Sequence, residues 1–401
     1  MQSIAQPQPI LDHLPARRPK AAPTLGIVGG GQLARMLAQP ALQFGCDVVI
    51  LERNQPCPAA ALATDTLIGD WDNPDALLGL GARVDVITLE NEFVDAESLT
   101  ALERFGHSVW PTAATMKLVQ DKLLQKRALA AAGLPVPRFA TAWDKSAILE
   151  AARNFGWPLV LKKRRNGYDG KGNATLQSAG DIDPAWARLA GEADALYVEE
   201  FCPFESELAI MIVRSQSGEM VNYPLVETVQ RDHICHIVKA PAGVPPQLAE
   251  RAAEIARRAV EAVDGVGAVG VEMFLTADGR VLINELAPRV HNSGHYTIEA
   301  CVCSQFENHI RAVLGWPLGS PAMRAPAAVM INLLGAAHGS GVPHGLSHAL
   351  DVPGAHPHVY GKVRSVPGRK MGHLTALGQT PEEAFKTARR AADFIRFGDV
   401  T

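Results

Sequence analysis

Two glutamates set the first chemical constraint on this chain. Glu272 lies in the apolar run Val271-Glu272-Met273-Phe274 and Glu285 in Ile283-Asn284-Glu285-Leu286, with the turn Thr276-Ala277-Asp278-Gly279-Arg280 between them. That spacing predicts a hairpin with the two strands side by side and both carboxylates on one face. Carboxylates inside apolar strands are costly unless paired or bound to a cation, and Mg²⁺ bridging phosphates takes hard oxygen ligands of this kind. A buried salt bridge to Arg or Lys would serve the same residues. Upstream, Lys162-Lys163-Arg164-Arg165-Asn166-Gly167-Tyr168-Asp169-Gly170-Lys171-Gly172 follows a strand and joins cations to three glycines. Such a loop can close over a triphosphate, its amides approaching the oxygens and its lysines balancing their charge. A solvated basic turn has the same composition. Glu199-Glu200-Phe201 ends another apolar run, where backbone groups could bond a purine edge, and Glu207 could accept from ribose hydroxyls. Exposed acids at a strand edge are the plainer account.

Gly29-x-Gly31-x-x-Ala34 follows the apolar run Leu25 to Val28, with Glu52 further on. The pattern fits a dinucleotide fingerprint, a mononucleotide phosphate site, or a turn that is tight for structural reasons alone. Two further groups of donors sit on turns. Arg289, His291, Asn292, Ser293 and His295 follow Glu285 directly, and Lys362, Arg369, Lys370 and His373 cluster near the C-terminus. Arg offers a planar fork and Lys a point charge to a phosphate, but surface loops also carry such residues.

These residues need elements to hold them. Leu25–Val28, the helical spacing of Gln32–Phe44, and the apolar runs Val48–Leu51 and Val84–Leu89 read as repeated βα units, predicting a doubly wound parallel sheet. Thr115–Ala132 reads as one amphipathic helix, stopped by Gly133, Pro135 and Pro137 at a domain boundary. Beyond Trp157 the runs at Leu159–Lys162, Leu196–Glu199, Leu208–Val213, Val221–Val226, Val269–Leu275 and Val281–Leu286, with a helix at Pro246–Val263, indicate antiparallel α+β structure. The tail predicts strands at Val329–Leu333 and Leu374–Ala376 and a final helix over Pro381–Phe397. No internal repeat is present.

Composition narrows the function classes. A net charge of -4 without a block of like charges supplies no footprint for nucleic acid. Apolar stretches such as Ala325–Ala337 are interrupted well short of the ~18 residues that cross a bilayer. Cys46, Cys57, Cys202, Cys235, Cys301 and Cys303 show no metal-binding spacing and read as free thiols. Residues 1–23 are Pro-rich without the apolar core of a secretory signal, predicting a disordered extension and a cytoplasmic protein.

Five strings in order, Gly29-Gly30-Gly31-Gln32-Leu33, Gln120-Asp121-Lys122, Asn166 to Gly172, Asn284 to His295 and Pro367 to His373, give the region from Leu25 to Ala376 a recognisable pattern. It resembles the 5-(carboxyamino)imidazole ribonucleotide synthases of the ATP-grasp superfamily. The resemblance implies an α/β and α+β chain with an N-terminal pre-ATP-grasp domain over 24–115, a linker helix and lid over 116–198, a metal-bearing ATP-grasp half over 199–320, and a small C-terminal domain over 321–401. It implies ATP with Mg²⁺, or Mn²⁺ in its place, 5-aminoimidazole ribonucleotide and bicarbonate as substrates, and a homodimer. Lys122 and Lys162 would contact ATP phosphates beneath a loop containing Gly167, Gly170, Lys171 and Gly172. Glu199 and Phe201 would meet adenine and Glu207 the ribose, with Gln230 and Asn284 as further nucleotide contacts. Glu272 and Glu285 would hold the metal. Gln32, Glu90, His291, Asn292, Lys362 and Arg369 would bind the ribonucleotide, and Tyr168 and Asp169, with Lys362 and Arg369, would face the reaction. The alternatives are another ATP-grasp ligase, such as a formate-using ribonucleotide transformylase, an NAD-linked oxidoreductase built on Gly29, or an inactive nucleotide sensor, against which the intact Glu272 and Glu285 pair counts.

Overall fold

The computed structural model describes residues 22–167, 172–189 and 195–399. The extension expected at the N-terminus therefore lies outside the described residues up to position 21.

The N-terminal sheet has five strands. Thr24–Val28 is central, with Asp47–Glu52 and then Asp65–Ile68 on one side, and Val86–Leu89 and then Ser108–Trp110 on the other; every pairing is parallel. Helices cover both faces, so Leu25, Ile27 and Val28 are all fully buried and the strand reads as an unbroken apolar run. Strand order reverses between Thr24–Val28 and Val86–Leu89, and the carboxyl ends of these two strands present Gly29–Gly31 and Glu90 to one crevice. Such switch points are where open α/β sheets carry their sites.

The single helix expected over Thr115–Ala132 is two, Ala113–Gln120 and Lys122–Ala131. Asp121 breaks it by taking an extended conformation and accepting from the Leu123 and Leu124 amides. Its carboxylate also pairs with Arg164 at 2.6 Å, so the break is held from outside the helix. An N-cap of this kind satisfies amides that a continuous helix would not expose.

Two antiparallel sheets follow. Phe139–Ala142, Leu196–Glu200, Leu159–Lys163 and Asn173–Leu176 form the smaller one, in that order. Its core of Ile148, Leu159, Leu161, Leu196 and Val198 is its own. The larger sheet runs Val281–Ala287, Gly267–Thr276, Phe204–Arg214, Val226–Arg231, Ile234–Ala240, Ala327–Leu334, Lys370–Gly378, Ala355–Val359. Strands of segment 321–401 thus extend the sheet of the segment before it, through the register Ile237↔Ile331. The run expected at Val221–Val226 is divided: Met220–Asn222 and Val226–Arg231 are separate strands with Pro224, which has no amide to donate, between them. The last helix ends at Ala392, because Arg396 exchanges both backbone hydrogen bonds with His344. All six cysteines are free. Among the described residues no helix is long and apolar enough to cross a membrane.

Candidate active site

The hairpin of Gly267–Thr276 and Val281–Ala287 sets Glu272 directly opposite Glu285, just before a register shift at Met273. Lys122, the first residue of the helix that Asp121 caps, forms an ion pair with Glu285. Burial opposes ionisation of Glu285, but Lys122 more than offsets it and holds this carboxyl below the usual range. Glu272 goes the other way. Burial, then the charges of Glu285 and Glu207, push it up to about 8. Two facing carboxylates with one lysine, paired to Glu285, leave a place for further positive charge. Among the described residues no group of three or more His, Cys, Asp or Glu side chains could hold a metal ion. The pair alone does not form a protein cage, but Mg²⁺ is commonly held by one or two carboxylates together with substrate phosphates, and this donor set fits that pattern. His291 Nε2 stands 3.3 Å from Glu272 Oε1, and burial with the nearby Arg289 and Lys370 pushes its imidazole down to about 3, so it is neutral at physiological pH.

The hairpin forms one wall of a cleft of about 860 Å³, with Lys162, Glu199 and Phe201 from the smaller sheet opposite and Gln32 and Glu90 at one end. Glu199 is buried at 2% exposure, with Lys162 Nζ 2.6 Å from Oε2 and Lys126 Nζ 3.1 Å from Oε1. Burial raises its pKa, but the two ammonium groups win and hold the carboxyl down at about 2. Glu199 Oε1 is thus covered by the Lys126 ammonium, whereas Glu207 Oε2, a buried atom, has no hydrogen-bond partner. An unsatisfied buried acceptor costs roughly 1–3 kcal/mol. Such an acceptor in the cleft calls for a ligand that brings it a donor.

At the far end the glycine turn is already occupied. The Gly30 amide donates to Glu52 Oε2 at 2.7 Å and the Leu33 amide to Glu90 Oε1 at 3.3 Å. A β-carbon on Gly31 would lie 2.1 Å from Glu90 Oε1. The glycines therefore admit the protein's own carboxylates, and the dinucleotide reading of Gly29 loses its phosphate site. Burial pushes the Glu90 carboxyl up.

Gln32, Glu90, Lys122, Lys162, Gly167, Gly172, Glu199, Phe201, Glu207, Gln230, Glu272, Asn284, Glu285, His291 and Asn292 all line this cleft. Gln230 reaches it from a hairpin whose turn residues, Asp232 and His233, both take positive φ. Gly172 could not carry a β-carbon, which would stand 2.8 Å from Gly167 Cα, so the two ends of the basic loop meet only as glycines. Tyr168, Asp169, Gly170 and Lys171 lie outside the described residues. Lys362 Nζ donates to Lys370 O at 2.7 Å and Arg369 to Arg364 O at 2.9 Å, beside Lys370, which lines the cleft. Sequence reasoning passed over Lys126; Arg289, one of the donors expected on the turn after Glu285, grips Glu92 with two guanidinium nitrogens. The i, i+4 spacing of Lys122 and Lys126 was the available signal for the first.

Family models match in the order the architecture requires. A ribonucleotide synthetase preATP-grasp domain matches residues 22–120, an ATP-grasp domain residues 127–306, and a phosphoribosylaminoimidazole carboxylase C-terminal domain residues 328–387. Fold and site together define an ATP-grasp ligase. The N5-carboxyaminoimidazole ribonucleotide synthase of Synechococcus elongatus is 45% identical over 353 residues, 88% of each chain. A phosphoribosylaminoimidazole carboxylase of Schizosaccharomyces pombe is 40% identical, and the match covers 90% of this chain and 66% of that protein. The chain belongs to the N5-carboxyaminoimidazole ribonucleotide synthase family. The Thermotoga maritima enzyme superposes with a TM-score of 0.85 at 38% identity, over 94% of this chain and all of that one. An Aspergillus clavatus enzyme, solved in complex with ADP and 5-aminoimidazole ribonucleotide, gives 0.85 at 34% identity, over 93% of this chain and 98% of that one.

Proposed function

We propose that this chain carboxylates 5-aminoimidazole ribonucleotide at its exocyclic amine, using ATP and bicarbonate and releasing ADP and phosphate, in the cytoplasm and as a homodimer. The observation that carries the nucleotide half is the buried acceptor Glu207 Oε2, which has no hydrogen-bond partner in the cleft that Glu199, Lys162 and Phe201 also line. A ribose hydroxyl supplies the missing donor, and Glu199 meets adenine beside it. Phe201, Gln230 and Asn284 complete this end, and the domain limits 24–115, 116–198, 199–320 and 321–401 describe the parts that enclose it.

In this reading Lys122 and Lys162 exchange carboxylate partners for ATP phosphates, and the loop from Gly167 to Gly172 covers them. Glu272 and Glu285 would hold Mg²⁺, or Mn²⁺, which when bound offsets the charge of the transferring phosphoryl group. Bicarbonate attacks the γ-phosphorus and ADP leaves, giving carboxyphosphate, whose breakdown delivers CO₂ to the amine. Gln32, Glu90, His291 and Asn292 orient the ribonucleotide, Lys362 and Arg369 hold its phosphate, and Tyr168 and Asp169 face the reacting atoms. Exclusion of water matters most here, because water competes for carboxyphosphate.

The test is ADP formation with Mg²⁺ and bicarbonate, with and without the ribonucleotide. Turnover is expected only with it, and Glu285→Gln is expected to lower kcat by about a hundredfold or more. ATP binding without stimulation by the ribonucleotide would leave the ATP-grasp site and refute the substrate.

A further inference from the structure

Lys126 has no part in the roles assigned above, yet it is among the most buried side chains in the protein, at 1% exposure. It lies one turn beyond Lys122, on the helix face turned to the hairpin. Its Nζ donates to Ile283 O at 3.1 Å and stands 3.1 Å from Glu199 Oε1, while Lys162 Nζ takes Glu199 Oε2 at 2.6 Å. Glu199 therefore has two ammonium partners for one negative charge.

That arrangement is expensive at rest. Burial, and the second cation at Lys162, oppose the charge on Lys126 and push its pKa down to about 8. Lys162 alone would already neutralise Glu199, so ion-pair stability does not explain the extra buried lysine. The two lysines differ in access: Lys162 is 12% exposed and lines the cleft, whereas Lys126 is sealed beneath Glu199 and is not among the lining residues. When Lys162 turns to a phosphate, Glu199 keeps only the partner below it.

We propose that Lys126 is a positioning residue that holds Glu199 ionised and in place, freeing Lys162 to exchange this carboxylate for a nucleotide phosphate. The inference rests on the reading of Lys162 as a phosphate ligand given above. Without Lys126, moving Lys162 would leave an unpaired carboxylate at 2% exposure, and the nucleotide's binding energy would have to cover that cost. Glu285 needs no such retained lysine, since the metal would replace Lys122.

The experiment measures binding of the non-hydrolysable ATP analogue AMPPNP with Mg²⁺ by calorimetry. The proteins are wild type, Lys126→Met, Lys126→Arg, Glu199→Gln and the Lys126→Met/Glu199→Gln double variant, each with its melting temperature. Lys126→Met is expected to weaken binding about tenfold or more, and Lys126→Arg, which keeps the cation, to stay within about threefold of wild type. The double variant is expected to bind within about threefold of Glu199→Gln alone, because a neutral amide needs no retained cation. A merely structural lysine would instead lower the melting temperature and add its loss to that of Glu199→Gln. Wild-type affinity in Lys126→Met, or strictly additive losses in the double variant, would overturn the inference. Failure of the wild-type protein itself to bind the analogue would overturn the nucleotide reading on which it stands.

Discussion

Lowering the pH from 7.5 to 5.0 should weaken the seam between the N-terminal sheet and the larger sheet, and His309 sets how much. Its ring is fully buried. Nδ1 accepts from the Ala268 amide at 3.0 Å, and Nε2 lies 2.8 Å from Thr88 Oγ1, whose hydroxyl donates to Trp110 O at 2.8 Å. The tautomer is thereby set: Nε2 carries the proton and Nδ1 is bare. Protonating Nδ1 would face one N–H against another, in a place where burial alone already pushes the imidazole down to about 4. The unfolded chain has an ordinary histidine pKa of about 6.5. The unfolded state therefore binds the extra proton first, and stability is constant above about pH 6.5, falls as pH drops toward 4, and levels off below it. A gap of about 2.5 units at about 1.4 kcal/mol each amounts to about 3.4 kcal/mol in full, and about 2 kcal/mol at pH 5. His309→Asn keeps an acceptor for Ala268 but does not titrate. Urea unfolding of both proteins at the two pH values should show the wild type losing about 2 kcal/mol more than the variant between them. Contributions from the cleft histidine His291 and from the other buried histidines, His295 and His373, are common to both and cancel. Equal losses in the two proteins would refute the argument that a bare, buried Nδ1 at this seam excludes the proton.

Two further predictions bear on the cleft. Gly31→Ala would drive a methyl group into Glu90, forcing that carboxylate off the Leu33 amide, and should cost about 1–3 kcal/mol, read as a lower melting temperature; an unchanged melting temperature would mean that Glu90 does not cap the turn. Glu207→Gln keeps the shape but replaces a charged acceptor with a neutral one, so ADP affinity measured by calorimetry should fall about fivefold, the difference of about 1 kcal/mol between charged and neutral hydrogen bonds; unaltered affinity would remove Glu207 from the nucleotide site.

The sequence by itself determined the class of each region. Unbroken apolar runs spaced by helical patterns announced the parallel sheet, because strands buried on both faces need no polar alternation. The turn at Thr276–Arg280 announced the hairpin, and with it Glu272 opposite Glu285, because hairpin register is local. What it left undecided depended on contacts between distant residues. The glycines at 29 to 31 carry the same spacing whether they admit a pyrophosphate or a side chain, and only the adjacency of the strand ending at Leu89 reveals that Glu90 fills the space. The break at Asp121 is invisible in an apolar periodicity that continues across it, since Arg164, which secures it, arrives from the smaller sheet. Lys126 looks like any lysine on an amphipathic helix until Glu199 and the Ile283 carbonyl close over it. Lys362, a cation on a tight turn, spends its ammonium on a backbone carbonyl while Lys370 faces the cleft. Local pattern specifies which backbone forms, because hydrogen bonding and apolar periodicity act over a few residues. Which charges meet, and therefore which are neutral, paired or left waiting for a ligand, is decided only when the sheets close around one cleft.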